Sequence, residues 1–147
     1  MQKHSKDTIT TEREVIDIAI EDDFRCLRGL SPTRLRFGVE YGLERGSSAN
    51  CFLIKLNEKS EFNHPEAVLV HPPGYLFGTL FIDYLTKILP NNKTKISIII
   101  GHINPNRVKF LQELIKKYAN INLICSNPGA KLLKTIFSTF FISILSK

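Results

Sequence analysis

The stretch SIIIGHINPNRVKF, residues 97–110, decides how this chain is read. It opens on Ser97 and three isoleucines, a small and apolar run that reads as the end of a strand covered on both faces. Gly101 stops the run, and His102 follows it. Asn104 then precedes Pro105, an N-cap residue with proline at the first helical position. Val108, Leu111, Leu114, Ile115 and Tyr118 continue at helical spacing. The stretch is a strand–loop–helix junction, and open α/β sheets place ligands beyond the carboxyl ends of such strands. The chemistry found there is one imidazole (His102), two amides (Asn104, Asn106) and a guanidinium (Arg107).

The same frame repeats on either side. Upstream, AVLV (67–70) is a short apolar run stopped by HPPG (71–74). Phe77, Leu80, Phe81, Tyr84, Leu85 and Ile88 follow at helical spacing, and Pro90 ends them. Downstream, INLIC (121–125) reads as a third buried strand, and SNPGAKLLKTIF (126–137) opens a third helix, with Asn127 as N-cap and Pro128 as first helical residue. Before all of this come four short alternating segments at 13–20, 24–28, 34–44 and 49–56, separated by turns. They read as antiparallel strands, with GLSP (29–32) breaking the second. The chain is therefore expected to be α/β (α+β), an antiparallel opening followed by strand–helix repeats on a mixed sheet. Residues 1–12 are polar and expected to be frayed.

Composition narrows the class. The 147 residues suit one domain, and 43% hydrophobic residues exclude general disorder. Cys26, Cys51 and Cys125 are widely spaced and odd in number, which argues against a disulfide framework and for a reducing compartment. No pair has zinc-ligand spacing. The N-terminus lacks an apolar core and does not read as a signal peptide, so a cytoplasmic location is expected. Charge is uneven. Residues 1–66 hold ten Lys/Arg against twelve Asp/Glu; residues 67–147 hold ten against Asp83 and Glu113 alone. The lysines are spread singly with no aromatic interleaving, so nucleic acid is not expected as a partner. No GxGxxG or GxxxxGK pattern offers a phosphate cradle.

Four segments in order, RFGVEYGLERGSSANCFLI (36–54), AVLVHPPGYLF (67–77), IIIGHINPNR (98–107) and ICSNPGAKLLKTIF (124–137), resemble the start of the metallo-β-lactamase-like domain of flavodiiron proteins, above all the multidomain ones of cyanobacteria. The resemblance runs from about Thr8 to Phe137. It implies an αββα sandwich, of which this chain would be an incomplete N-terminal half. It also implies the family's activity, NAD(P)H-dependent reduction of oxygen to water through FMN and a di-iron site, and the family's head-to-tail dimer. The family's iron motif reads His-x-Glu-x-Asp-His. His102 matches the first His, whereas Asn104, Asn106 and Arg107 stand at the positions of the Glu, the Asp and the last His. Such iron sites need carboxylate and imidazole donors. An amide is a weak neutral donor, and a guanidinium stays charged and repels cations.

The expectation is accordingly a fragment or divergent member of a flavodiiron-type oxidoreductase, inactive alone and without cofactor of its own. The alternative is a non-catalytic assembly module, and the third reading is a flavin-independent metallo-hydrolase-like domain. Arg107 is expected to stand in for metal charge by pairing with an acid, or else to face water with Asn106. His71, at the end of the neighbouring strand, is a further candidate; His4 and His64 lie in polar stretches without a role. A homo- or hetero-oligomer with a flavodiiron subunit is expected. The domain division reads 1–12, 13–137 and 138–147. In the last part, Leu132, Ile136, Phe140 and Ile144 continue a helical stripe, which would make a C-terminal apolar helix able to touch a membrane surface, or the tail of a truncated gene.

Overall fold

The computed structural model describes residues 13–32, 36–37, 41–42, 47–56, 66–137 and 142–144. Alternation makes the first segments strands: β1 (Glu14–Glu21) pairs antiparallel with β2 (Phe24–Ser31). β3 (Arg36–Phe37) and β4 (Tyr41–Gly42) form a separate two-stranded sheet. β5 (Ser47–Lys55) lies antiparallel between β2 and β6 (Ala67–Val70). From β6 onward the chain alternates. A 3-10 turn (Tyr75–Phe77) leads into α1 (Gly78–Ile88), then β7 (Lys95–Ile100), α2 (Pro105–Lys117), β8 (Asn120–Cys125), α3 (Asn127–Ile136) and β9 (Ile142–Ile144). Strands β6 to β9 are parallel, and the sheet order is β1-β2-β5-β6-β7-β8-β9.

Register divides the side chains between two faces. Leu53, Leu69, Ile98 and Leu123 oppose one another across β5 to β8 and are fully buried. They share one core with Phe81 and Leu85 of α1, Phe110, Leu111 and Leu114 of α2, and Leu133 of α3. Phe81 and Phe110 meet edge to face at 5.5 Å, which ties α1 to α2 over the sheet. All three helices thus pack on one face, as right-handed parallel crossovers demand. The mixed α/β half-sandwich is the architecture that the sequence pattern implied.

Several details differ from the sequence reading. β2 does not break at Gly29 but runs on to Ser31. The glycine serves packing instead: a Cβ there would stand 2.8 Å from the Phe77 ring. The expected strand at 34–44 contributes only the short β3–β4 pair; its remaining residues, like 1–12, lie outside the described residues. Helix α3 is capped by Ser126, not Asn127. The helical stripe expected to reach Ile144 is not continuous. Phe137 caps α3 with its side chain buried, Thr135 Oγ1 bonds the Leu132 carbonyl, and Ile142–Ile144 lie as a strand beside β8. Side-chain competition for helical carbonyls and an open strand edge explain the change. Among the described residues no helix is long and apolar enough to cross a membrane.

Candidate functional site

The strand–loop–helix junctions after β6 and β7 converge at the carboxyl end of the sheet. His71 follows β6 with φ 59°, in the left-handed region. Its N–H still bonds the Ile99 carbonyl at 3.0 Å, so the turn begins on the parallel ladder itself. Pro72 and Pro73 then carry the chain away. After β7, Asn104 caps α2 with its side-chain oxygen, accepting from the Arg107 N–H at 2.9 Å, with proline in the first turn. That local reading of Asn104 and Pro105 is upheld.

Arg107 joins the two loops. The cap sets the start of α2 so that this side chain turns inward, and it is buried, 9% exposed. Nε donates to the Pro72 carbonyl at 2.8 Å, and one terminal nitrogen donates to the His102 carbonyl at 2.5 Å. The other terminal nitrogen lies 3.3 Å from His71 Nε2. A guanidinium has no acceptor, so His71 Nε2 must accept and the imidazole is neutral, its proton on Nδ1. Desolvation lowers the His71 pKa first, then the Arg107 charge, then His102. Burial lowers the Arg107 pKa as well, although a guanidinium keeps its proton in a protein. Behind it Cys51 is fully buried, and burial pushes its thiol pKa far up.

The candidate residues therefore sort unevenly. His102 contributes its carbonyl, and its side chain is exposed. Asn106 is exposed on the first turn of α2, near Gly74. Among the described residues Arg107 does not face water and meets no acid; its partners are two carbonyls and an imidazole. No carboxylate is needed there, because carbonyl oxygens at the loop ends supply the acceptors. The Pro72 carbonyl is a partner that the sequence reading missed. HPPG held the signal, since two prolines without N–H groups leave a loop rich in unpaired acceptors. Cys125 is buried at the end of β8, as expected of a core thiol. His4 and His64 lie outside the described residues. Among the described residues no three of His, Cys, Asp or Glu gather closely enough to hold a metal.

The donor set does not suit a di-iron centre. A positive charge stands among the loops, and Asn104 spends its oxygen on the helix cap.

No family profile matches the chain. Its curated relatives do. The diflavin flavoprotein A 4 of Nostoc sp. (strain PCC 7120) is 38% identical over 133 residues, covering 88% of this chain and 22% of the relative. The diflavin flavoprotein A 6 of the same organism is 39% identical over 122 residues, covering 82% of this chain and 20% of the relative. Among solved structures, a fragment of diflavin flavoprotein A 5 from Nostoc sp. PCC 7120 superposes with a TM-score of 0.76 at 28% identity, covering 90% of this chain and 50% of that one. A metal-soaked flavodiiron core from Synechocystis sp. superposes with a TM-score of 0.75 at 31% identity, covering 90% of this chain and 32% of that one.

The half-sandwich with converging strand-end loops defines a metallo-β-lactamase-like core. Over most of its length the chain is similar to the diflavin flavoproteins and to flavodiiron cores. It spans about a fifth of the length of the curated relatives it matches.

Proposed function

We propose that this chain is a flavodiiron-type module whose metal position has been taken over by Arg107, and that it does not reduce oxygen by itself. The observation that carries this reading is the buried guanidinium, bonded to the Pro72 and His102 carbonyls and to His71. A fixed cation at that point opposes ferrous ions by Coulomb repulsion and holds together loops that metal ligation would otherwise hold. The parent activity, NAD(P)H-dependent oxygen reduction through FMN and a di-iron site, belongs in this reading to intact relatives.

The structural role left to such a chain is assembly. Its core is well packed and Arg107 ties its strand-end loops together, so it can present a fixed surface to an intact flavodiiron subunit. A hydrolase role is disfavoured by the same residues, because activating water needs the missing ligands. A cytoplasmic location remains part of the proposal; it rests on the odd, unpaired cysteines.

The test is oxygen consumption with NADH or NADPH, in the presence of added FMN and ferrous iron. The chain alone is expected to match the protein-free blank. Turnover that depends on both iron and chain would overturn the proposal. Capture of a purified intact flavodiiron subunit by the immobilised chain would support the assembly role, and its failure at micromolar concentration would count against it.

A further inference from the structure

The helix layer carries a feature that the strand-end loops leave unused. A groove of about 340 Å³ lies between α1 and α2. Ile82 and Asp83 line it from α1, and Tyr75 lines it from the turn before that helix. Glu113, Lys116 and Lys117 line it from α2, at positions i, i+3 and i+4, which share one helix face. The charges there are not a sample of the surface around them. Residues 67–147 hold ten Lys/Arg and only two acids, Asp83 and Glu113, and both acids line this groove. Lys116 bonds Glu113 at 2.8 Å, an exposed pair that water holds weakly. Among the described residues Asp83 and Lys117 are exposed and have no ion-pair partner. The aromatic wall is fixed in advance. The Lys109 ammonium stands 3.8 Å from the centre of the Tyr75 ring. Gly78 leaves room for that ring, since a Cβ there would stand 3.4 Å from Tyr75 Cδ2. A wall held by its neighbours loses little freedom when a ligand meets it.

We propose that this groove binds the zwitterion of a free α-amino acid with an apolar side chain. Asp83 takes the ammonium, Lys117 takes the carboxylate, and the side chain lies against Tyr75 and Ile82. The charge set decides the class. A simple anion would meet Asp83 and Glu113, and a simple cation would meet Lys116 and Lys117. A ligand with both signs has a complement for each. The volume decides the size. Ligand cavities run from about 300 to 1,000 Å³, and this groove stands at the lower end, which suits a small molecule better than a folded partner. Both walls belong to helices whose residues are described throughout, and Arg107 takes no part in them.

The test is titration of the ¹⁵N-labelled 147-residue chain with L-leucine to about 20 mM, read as amide chemical shifts. Saturable shifts on residues 75–83 and 113–117 are expected, with a dissociation constant on the order of 1 mM. Two probes each remove one charge of the ligand. 3-Methylbutylamine lacks the carboxylate and 4-methylpentanoate lacks the ammonium, and each is expected to bind at least roughly tenfold more weakly. Asp83→Asn and Lys117→Gln are each expected to weaken leucine binding by a similar factor. Both side chains are exposed, so circular dichroism should be unchanged. Lys134→Gln, exposed on α3, is expected to bind as the wild type does. Shifts that fail to saturate overturn the proposal. So does equal binding of leucine and either single-charge probe, which would make the groove a plain cation or anion site. So does leucine binding that survives Asp83→Asn or Lys117→Gln, or that is lost with Lys134→Gln. None of these results bears on whether the chain binds iron.

Discussion

The two ends of the parallel strands are held in different ways. At the amino end, independent contacts share the task. Tyr118 donates to the Leu89 carbonyl at 2.8 Å, Asn120 to the Lys93 carbonyl at 2.7 Å, and the Ala119 N–H to the Asn92 carbonyl at 3.0 Å. The Glu66 carboxylate accepts from the Lys95 N–H at 2.8 Å. At the carboxyl end, where family ligands would gather, one side chain joins both loops. The first arrangement spreads its stability over several weak bonds. The second concentrates it in Arg107. On the proposed reading, the difference teaches that a site's geometry can persist without its metal chemistry, provided one residue satisfies the acceptors left behind.

The comparison is broken most directly by Arg107→Ala. It strands the Pro72 and His102 carbonyls and should cost about 3 kcal/mol. A urea titration checks this, with the midpoint lowered and the slope unchanged. A loss below about 1 kcal/mol would mean that the carboxyl end is held elsewhere. Asn104→Ala removes only the cap of α2 and should cost about 1 kcal/mol in the same titration. Tyr118→Phe tests the other end. One shared bond is lost among several, and the expected cost is no more than about 1 kcal/mol.

The smallest effect is one of pH. The folded state holds the His71 pKa below its ordinary value, so the neutral imidazole is favoured. Its contribution is fully present above the unfolded pKa, about 6.5, and is lost as pH falls through the lower folded value. Melting temperatures between pH 8 and pH 5 should therefore fall further for the wild type than for His71→Asn. Asparagine is chosen because it tolerates the left-handed backbone at this position. Equal slopes would remove His71 from the account.

Much of the fold was legible because its signals are local. AVLV, with HPPG behind it, gave β6 to the residue, and Asn104-Pro105 gave the start of α2. Where tertiary contacts decide, the residues misled. Gly29 looked like a breaker because its partner, the Phe77 ring, lies 48 positions along the chain. Leu132 and Ile136 looked like part of a longer stripe because periodicity does not report the strand edge that claims 142–144. At the site, the residue types at 102, 104, 106 and 107 were legible as a departure from metal chemistry. The inward path of Arg107 was not, since its partners are backbone carbonyls and no side-chain pattern marks them.

The central claim is that Arg107 occupies the place of the metal. The most direct measurement is elemental analysis of the purified chain after anaerobic incubation with ferrous iron and desalting. The account predicts iron well below one equivalent per chain. Two irons retained per chain or per dimer, released only by chelation, would contradict it.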